Sequence, residues 1–318
     1  MSHVTPAGLL VMAYGTPRER GDVEAYYTHI RRGRPPTPEQ LADLVRRYDA
    51  IGGVSPLAAR TADQVAGIAA GLEATEPGRW RVVLGNKHAT PFVEDAVGQL
   101  VDAGARSTVG LVLAPHFSRG SVAEYHARAA AVAGQRGVAY AGVETWADEP
   151  AWLDAQAERV RAALAGLPAA THVLFTAHSL PERVLAGDPY PDQLAASAAA
   201  IAARVGLGDG APDIEDRRPG GWSLGWQSAG RTPEPWRGPD VLDVLRELGT
   251  TDGVEGVLVC PQGFVSDHLE VLYDLDVDAR VLAGELGLAF ARTASINAEP
   301  AVMAALADRV RRLPVPTP

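Results

Sequence analysis

Cysteine is almost missing from this sequence: Cys260 stands alone among 318 residues. That excludes an internal disulfide, and a lone thiol fits a reducing compartment. Long apolar runs are missing too. No stretch approaches the roughly 20 residues that a membrane-spanning helix needs. The opening residues 1–8 carry no basic segment leading into an apolar one, so no secretory leader is expected. Basic charge is in deficit: 29 Lys and Arg against 39 Asp and Glu give a formal net charge of −10. Such a surface does not neutralise a phosphate backbone, which argues against a nucleic-acid partner. His29-Ile30-Arg31-Arg32-Gly33-Arg34, with Arg46-Arg47 following, is a local basic exception that can still hold anions. Nucleotide signatures are absent, since neither G-x-G-x-x-G nor a Walker-type loop follows the first strand-like run. The expectation is a cytoplasmic protein with no membrane span.

What the sequence does hold is material for a large core. Hydrophobic residues make up 47% of it, and its length suits two domains of roughly 150 residues. Strand patterns fall at 8–13, 81–84, 109–113, 138–142, 172–176, 222–226, 254–259 and 288–291. Helical patterns fall between them at 58–72, 91–103, 149–167, 191–205, 240–248, 267–286 and 300–313. Apolar strands alternating with helices predict an α/β fold, with parallel sheets covered on both faces. The stretch 206–221, rich in Gly, Pro and Asp, is the longest expected loop.

The chain also repeats itself. "LLVMAYGTP" (9–17) and "VLFTAHSLP" (173–181) share one plan: an apolar strand, Ala, a polar residue, a small residue, one more, then Pro. "LGNKHATP" pairs with "LGWQSAGRTP", and "LVLAPHF" with "VLVCPQGF", in the same order. Two similar halves are expected, 1–145 and 146–318, with the last helix packing back on the first. Tyr14 and His178 then occupy equivalent strand ends, at the carboxyl edge where open α/β sheets bind ligands, and a cleft between the halves is expected.

Motif by motif, most catalytic signatures fail. "GWSLG" (221–225) has the G-x-S-x-G form, but the strand follows Ser223 instead of preceding it, so it is not a nucleophile elbow. Cys260 ends an apolar strand and reads as a small core residue. His178-Ser179 ends the strand at 172–176, where a metal ligand, a base or a hydrogen-bonded turn all fit. In "SDHLEVLYDLDVD" (266–278), Asp267 and Glu270 have the spacing of a capping box. Asp267, Glu270 and Asp274 would share one helix face. A solvated acidic face and a cation route both fit that spacing. An imidazole with a carboxylate and open positions suits Fe²⁺ or a similar ion, not a closed zinc site.

Taken together, "LLVMAYGTP", "YYTHIRRGR", "YDAIGGVSPL", "KHATPFVEDAV", "LAPHFS", "TAHSLPERV", "GDPYPDQL", "GWQSAGRTPEPWRGPDV" and "GFVSDHLEVLYD" resemble the ferrochelatases over nearly the whole chain. They are most like the water-soluble, coproporphyrin-type branch of bacterial haem synthesis. The resemblance implies two Rossmann-like, chelatase-type domains and insertion of Fe²⁺ into coproporphyrin III. Insertion into protoporphyrin IX, another metal, or a non-catalytic tetrapyrrole or iron carrier are its alternatives. It implies His178 and Glu270 as the catalytic metal-site pair, with Asp274, and behind it Asp276 and Asp278, as a hydrated path. It implies Tyr14 as axial ligand to the product iron, and Arg31, Arg47, Tyr48, Ser55, Tyr125, Lys87 and His88 as substrate contacts. Fe²⁺ enters as substrate, with no nucleotide. One cysteine cannot build the 2Fe–2S cluster that many relatives carry. A monomer is expected, passing its product to a downstream haem-synthesis enzyme. The segment 26–34, expected as a loop, is polar and basic where membrane-associated relatives are apolar. Coproporphyrin brings four propionates, which suits Arg31 and Arg47 because the guanidinium fork pairs carboxylates bidentately.

Overall fold

The computed structural model describes residues 6–208, 210, 217–230 and 232–314. Part of the expected loop at 206–221, and position 231 of the "GWQSAGRTP" segment, lie outside the described residues. Eight strands run β1 (Ala7–Ala13), β2 (Trp80–Asn86), β3 (Ser107–Val112), β4 (Ala139–Val143), β5 (Thr171–His178), β6 (Trp222–Gln227), β7 (Gly256–Cys260) and β8 (Ala289–Arg292). All eight strand expectations are met within a few residues. The helices are α1 (Val23–Ile30), α2 (Pro38–Ala50), α3 (Leu57–Thr75), α4 (Val93–Asp102), α5 (Val122–Gln135), α6 (Pro150–Leu164), α7 (Glu182–Leu185), α8 (Tyr190–Val205), α9 (Val241–Leu248), α10 (Leu269–Tyr273), α11 (Arg280–Glu285) and α12 (Pro300–Arg312). A π-helical turn, Asp274–Ala279, joins α10 to α11.

The strands form two four-stranded sheets, ordered β2-β1-β3-β4 and β6-β5-β7-β8, and every pairing is parallel. Both sheets therefore place the first strand of each half second in order, which is the repeat read from the sequence. Every residue of β1 is buried, as is every residue of β5 before His178. Strands buried this completely are covered by helices on both faces.

The chain divides into two compact units, residues 1–146 with 297–318, and residues 147–296. In the first, Leu10 and Met12 pack with Val93, Val97 and Leu100 of α4 and with Tyr125 and Ala129 of α5. The terminal helix α12 lies on α3, where a Cβ on Gly67 or Gly71 would come within 2.8 Å of Met303 or Ala307. In the second, Leu174, Val257 and Val259 meet Val244 and Leu248 of α9, with Val271, Leu275 and Ala283.

Several local expectations are corrected. The segment 26–34 is the second half of α1 plus a turn through Arg31–Gly33, not a loop. Helices α1, α2, α5 and the short α7 were not expected. The signal for α2 is present: Thr37 accepts the Gln40 amide, Gln40 answers to the Thr37 amide, and Pro38 opens the helix. The helix expected at 267–286 is three pieces, because the backbone widens to i→i+5 bonding over Asp274–Ala279. Among the described residues, no helix is long and apolar enough to cross a membrane.

Candidate functional site

His178 is the last residue of β5, registered against Gln227 of β6. Its Nδ1 donates to the carbonyl of Ser179. That leaves Nε2 as the basic nitrogen, and it lies 3.6 Å from Glu270 Oε1. The imidazole side chain is 34% exposed, so the pair is reachable while its back is packed. Burial pulls the His178 pKa down. The Glu270 carboxylate, its hydrogen bond, the Ser179 carbonyl and Asp274 together outweigh burial and raise it above the usual histidine value.

Glu270 is placed by neighbours that sequence reasoning missed. His268 caps α10 by accepting the Glu270 amide on Nδ1 at 3.1 Å. Burial, the largest influence, lowers the His268 pKa, which keeps that nitrogen free to accept. Gln227 donates from Nε2 to the Glu270 carbonyl at 3.3 Å and accepts from Thr176 Oγ1 at 2.9 Å. Ser228, at φ 61 in the left-handed region, donates its hydroxyl to Asp274 at 2.5 Å. A non-glycine residue held there is the kind of strain that collects at working sites. The β7–α10 loop reaches β5 because Gly263 has no side chain. Its amide donates to the Thr176 carbonyl at 3.0 Å, and a Cβ there would stand 2.5 Å from that of Ala177.

The acidic series differs from expectation. Asp267 precedes the cap and forms no capping box. It accepts from Ser295 Oγ at 3.0 Å and lies 3.4 Å from Arg292. Asp276 receives Arg292 Nε and Nη2, both at 2.8 Å, so it is held in an ion pair and does not belong to an open path. Glu270 and Asp274 remain together near His178. Among the described residues, no group of three or more His, Cys, Asp or Glu forms a metal cage. Ser179, buried just past the end of β5, donates to the Arg237 carbonyl at 2.7 Å.

In the first unit, the β1–β2 ladder continues past the strands. Lys87 donates its amide to the Ala13 carbonyl and His88 to that of Tyr14, both at 2.9 Å. Tyr14 is 44% exposed, and its ring lies 4.6 Å from that of His88. Burial, then the Lys87 charge, pushes the His88 pKa down to about 3, so its imidazole stays neutral. His29 faces it, with the two Nδ1 atoms 3.0 Å apart. Lys87 is buried, bonded to Glu124 at 2.7 Å with its ammonium 5.2 Å from the Tyr125 ring centre. Tyr48, Ser55 and Tyr125 are buried, and the Ser55 hydroxyl already accepts the Leu57 amide. Arg31 is half-buried, its guanidinium 5.5 Å from the Tyr27 ring centre. Arg47 lies 3.3 Å from Asp43, one helical turn away, and would have to exchange that carboxylate for a ligand's.

The other candidate nucleophiles are shut away. Burial pushes the Cys260 thiol up to about 12. His172 Nδ1 donates to the Arg218 carbonyl at 3.0 Å, so Ser223 donates to His172 Nε2 at 2.9 Å. That polarity imitates a hydrolase dyad, but Ser223 is 1% exposed and His172 fully buried. Ser223→Ala is expected to leave turnover within twofold of wild type. It should lower stability by about 1–3 kcal/mol in urea unfolding, since a buried acceptor loses its partner.

The comparisons with known proteins bear on family and fold. The family model described as Ferrochelatase matches residues 6–313. Coproporphyrin III ferrochelatase of Anoxybacillus flavithermus is 46% identical over 310 residues, covering 95% of each chain. That of Geobacillus kaustophilus is 45% identical, covering 96% of this chain and 95% of the relative. That of Bacillus subtilis is 44% identical, covering 95% and 96%. Among solved structures, SirB from Bacillus subtilis with Fe³⁺ superposes at a TM-score of 0.58 with 14% identity, over 96% of this chain and 94% of that one. The last likeness bears on the fold alone. With a family-model match over residues 6–313 and relatives 44–46% identical across nearly the whole chain, the chain belongs to the ferrochelatase family.

Proposed function

We propose that the chain inserts Fe²⁺ into coproporphyrin III, with His178 and Glu270 as the working pair. The observation that carries this reading is the basic Nε2 of His178 held 3.6 Å from the Glu270 carboxylate at a reachable strand end. The overall change is the loss of two pyrrole N–H protons as Fe²⁺ takes their place, with no change of oxidation state. The carboxylate gives the hydrated cation a first anchor. As the dication approaches Glu270, it cancels the field that raised the His178 pKa, so the imidazole sheds its proton and is ready to take one from the ring. Asp274, held by Ser228, carries cation and proton traffic behind the pair. Tyr14, exposed at the end of β1, would supply its phenolic oxygen to the product iron.

The four propionates of coproporphyrin supply carboxylates for Arg31 and Arg47, and binding at that periphery can be spent on bending the ring. The names of the curated relatives support the same substrate. The substrate is tested by initial rates under anaerobic conditions, with Fe²⁺ and either coproporphyrin III or protoporphyrin IX. A clear preference for coproporphyrin III is expected, with many turnovers per chain. Equal or reversed rates would overturn the substrate, and a single stoichiometric uptake would make the protein a carrier.

A further inference from the structure

Arg292, at the end of β8, is the most heavily engaged cation beside the acidic segment, and no motif of the sequence pointed to it. Its side chain is 14% exposed. Nε and Nη2 form a bidentate pair with Asp276 at 2.8 Å each. Nη1 lies 3.4 Å from Asp267 and donates to the Thr293 carbonyl at 3.1 Å. Arg280, four residues on from Asp276, lies 3.5 Å from it. Burial disfavours the guanidinium charge, yet Asp276 and Asp267 hold it more firmly protonated than usual.

Five carboxylates occur between positions 267 and 278: Asp267, Glu270, Asp274, Asp276 and Asp278. Like charges at this density repel one another, and any of them could detain a divalent cation. Arg292 takes two out of play, one on each side of Glu270 and Asp274 along the chain. The same contacts tie the π-helical turn to β8 and to the β7–α10 loop. Leu275 and Ala279 anchor that turn from the inside, buried against the core.

We propose that Arg292 is a positioning residue for metal delivery: it withdraws Asp267 and Asp276 from competition and fixes the turn, so that a cation meets Glu270 and Asp274. It touches neither substrate nor metal. The inference rests on the reading of His178 and Glu270 as the metal site.

The test uses the full chain, with coproporphyrin III and either Zn²⁺ or anaerobic Fe²⁺. Arg292→Met is expected to raise the metal KM 10- to 100-fold, the range usual for residues that orient metal ligands, with porphyrin KM within twofold. Arg292→Lys keeps the charge but loses the fork, and is expected to raise metal KM several-fold. It also serves if the methionine variant does not fold. Adding Asp267→Asn and Asp276→Asn to Arg292→Met removes the competing charges but not the loss of the tether, so metal KM should recover in part; no recovery at all would overturn the withdrawal of Asp267 and Asp276. A folded Arg292→Met or Arg292→Lys chain with wild-type metal KM overturns the proposal, as does equal loss of metal and porphyrin KM. Failure of the underlying reading looks different: His178→Ala would then retain full turnover.

Discussion

Replacing His178 with alanine is expected to cut kcat for Fe²⁺ insertion by roughly 10²–10⁴-fold, the range that a positioned acid or base contributes. Affinity for coproporphyrin III, followed by fluorescence quenching, should stay within a few-fold. The expectation follows from how the ring is held. The Ser179 carbonyl takes the Nδ1 proton, so Nε2 carries the lone pair and faces Glu270. His268, the adjacent imidazole, does not duplicate it, because its Nδ1 is spent on the Glu270 amide. Water can still remove pyrrole protons in the variant, which is why turnover is expected to fall and not vanish. Little structural disturbance should accompany the change. Ser179 keeps its backbone bond to Gln227 and its hydroxyl bond to Arg237, so the strand end remains. Wild-type turnover in the folded variant would remove His178 from the chemistry altogether.

The architecture was legible because its cause is local. A strand buried on both faces must be largely apolar, and the chain writes that in "GLLVMA" and in "VLF", whose buried neighbours His172 and Thr176 are hydrogen-bonded to Ser223 and Gln227. The repeat was legible for the same reason, since both halves solve the same packing problem in the same order. Helices α1 and α2 were hidden by punctuation: Gly21, Gly33, Pro35 and Pro36 break the apolar rhythm around them. The site was half legible. His178 and Glu270 are residue types that announce chemistry, and the family resemblance named them. Their supports are not announced. Gln227, Ser228 and His268 act through contacts made only once β6 and the β7–α10 loop lie beside β5. The π-helical turn has no separate signature either, because acidic residues at spacings of two and four suit an α-helix equally well. Hence Asp267 was grouped with Glu270 and Asp274 by spacing, and Asp276 was added to the path behind Asp274. Arg292, more than ten residues further on, is what separates them.

Glu270→Gln should be the second most damaging single change, and its pH signature is more informative than its size. The metal loses its anchoring carboxylate, so kcat/KM for Fe²⁺ is expected to fall about 100-fold or more, given that even outer partners of metal ligands cost 10–100-fold. The neutral amide preserves shape, and the Glu270 backbone bonds to His268 and Gln227 do not involve the side chain. In the wild type, burial alone would depress the His178 pKa, and it is raised because the Glu270 charge leads the opposing influences. The protonated imidazole can neither accept a proton nor bind a cation. Activity therefore rises as pH climbs through that pKa, and the acid limb of the wild-type profile is expected above 6.5. Without the carboxylate, burial is opposed only by the Ser179 carbonyl and Asp274, the pKa falls, and the limb moves to lower pH. The variant should thus be slower everywhere but lose a smaller fraction of its rate on acidification. A limb that stays in place while the rate drops would mean that Glu270 binds metal without setting the protonation of His178. A limb that moves upward would contradict the charge coupling on which the proposed hand-off of the proton depends.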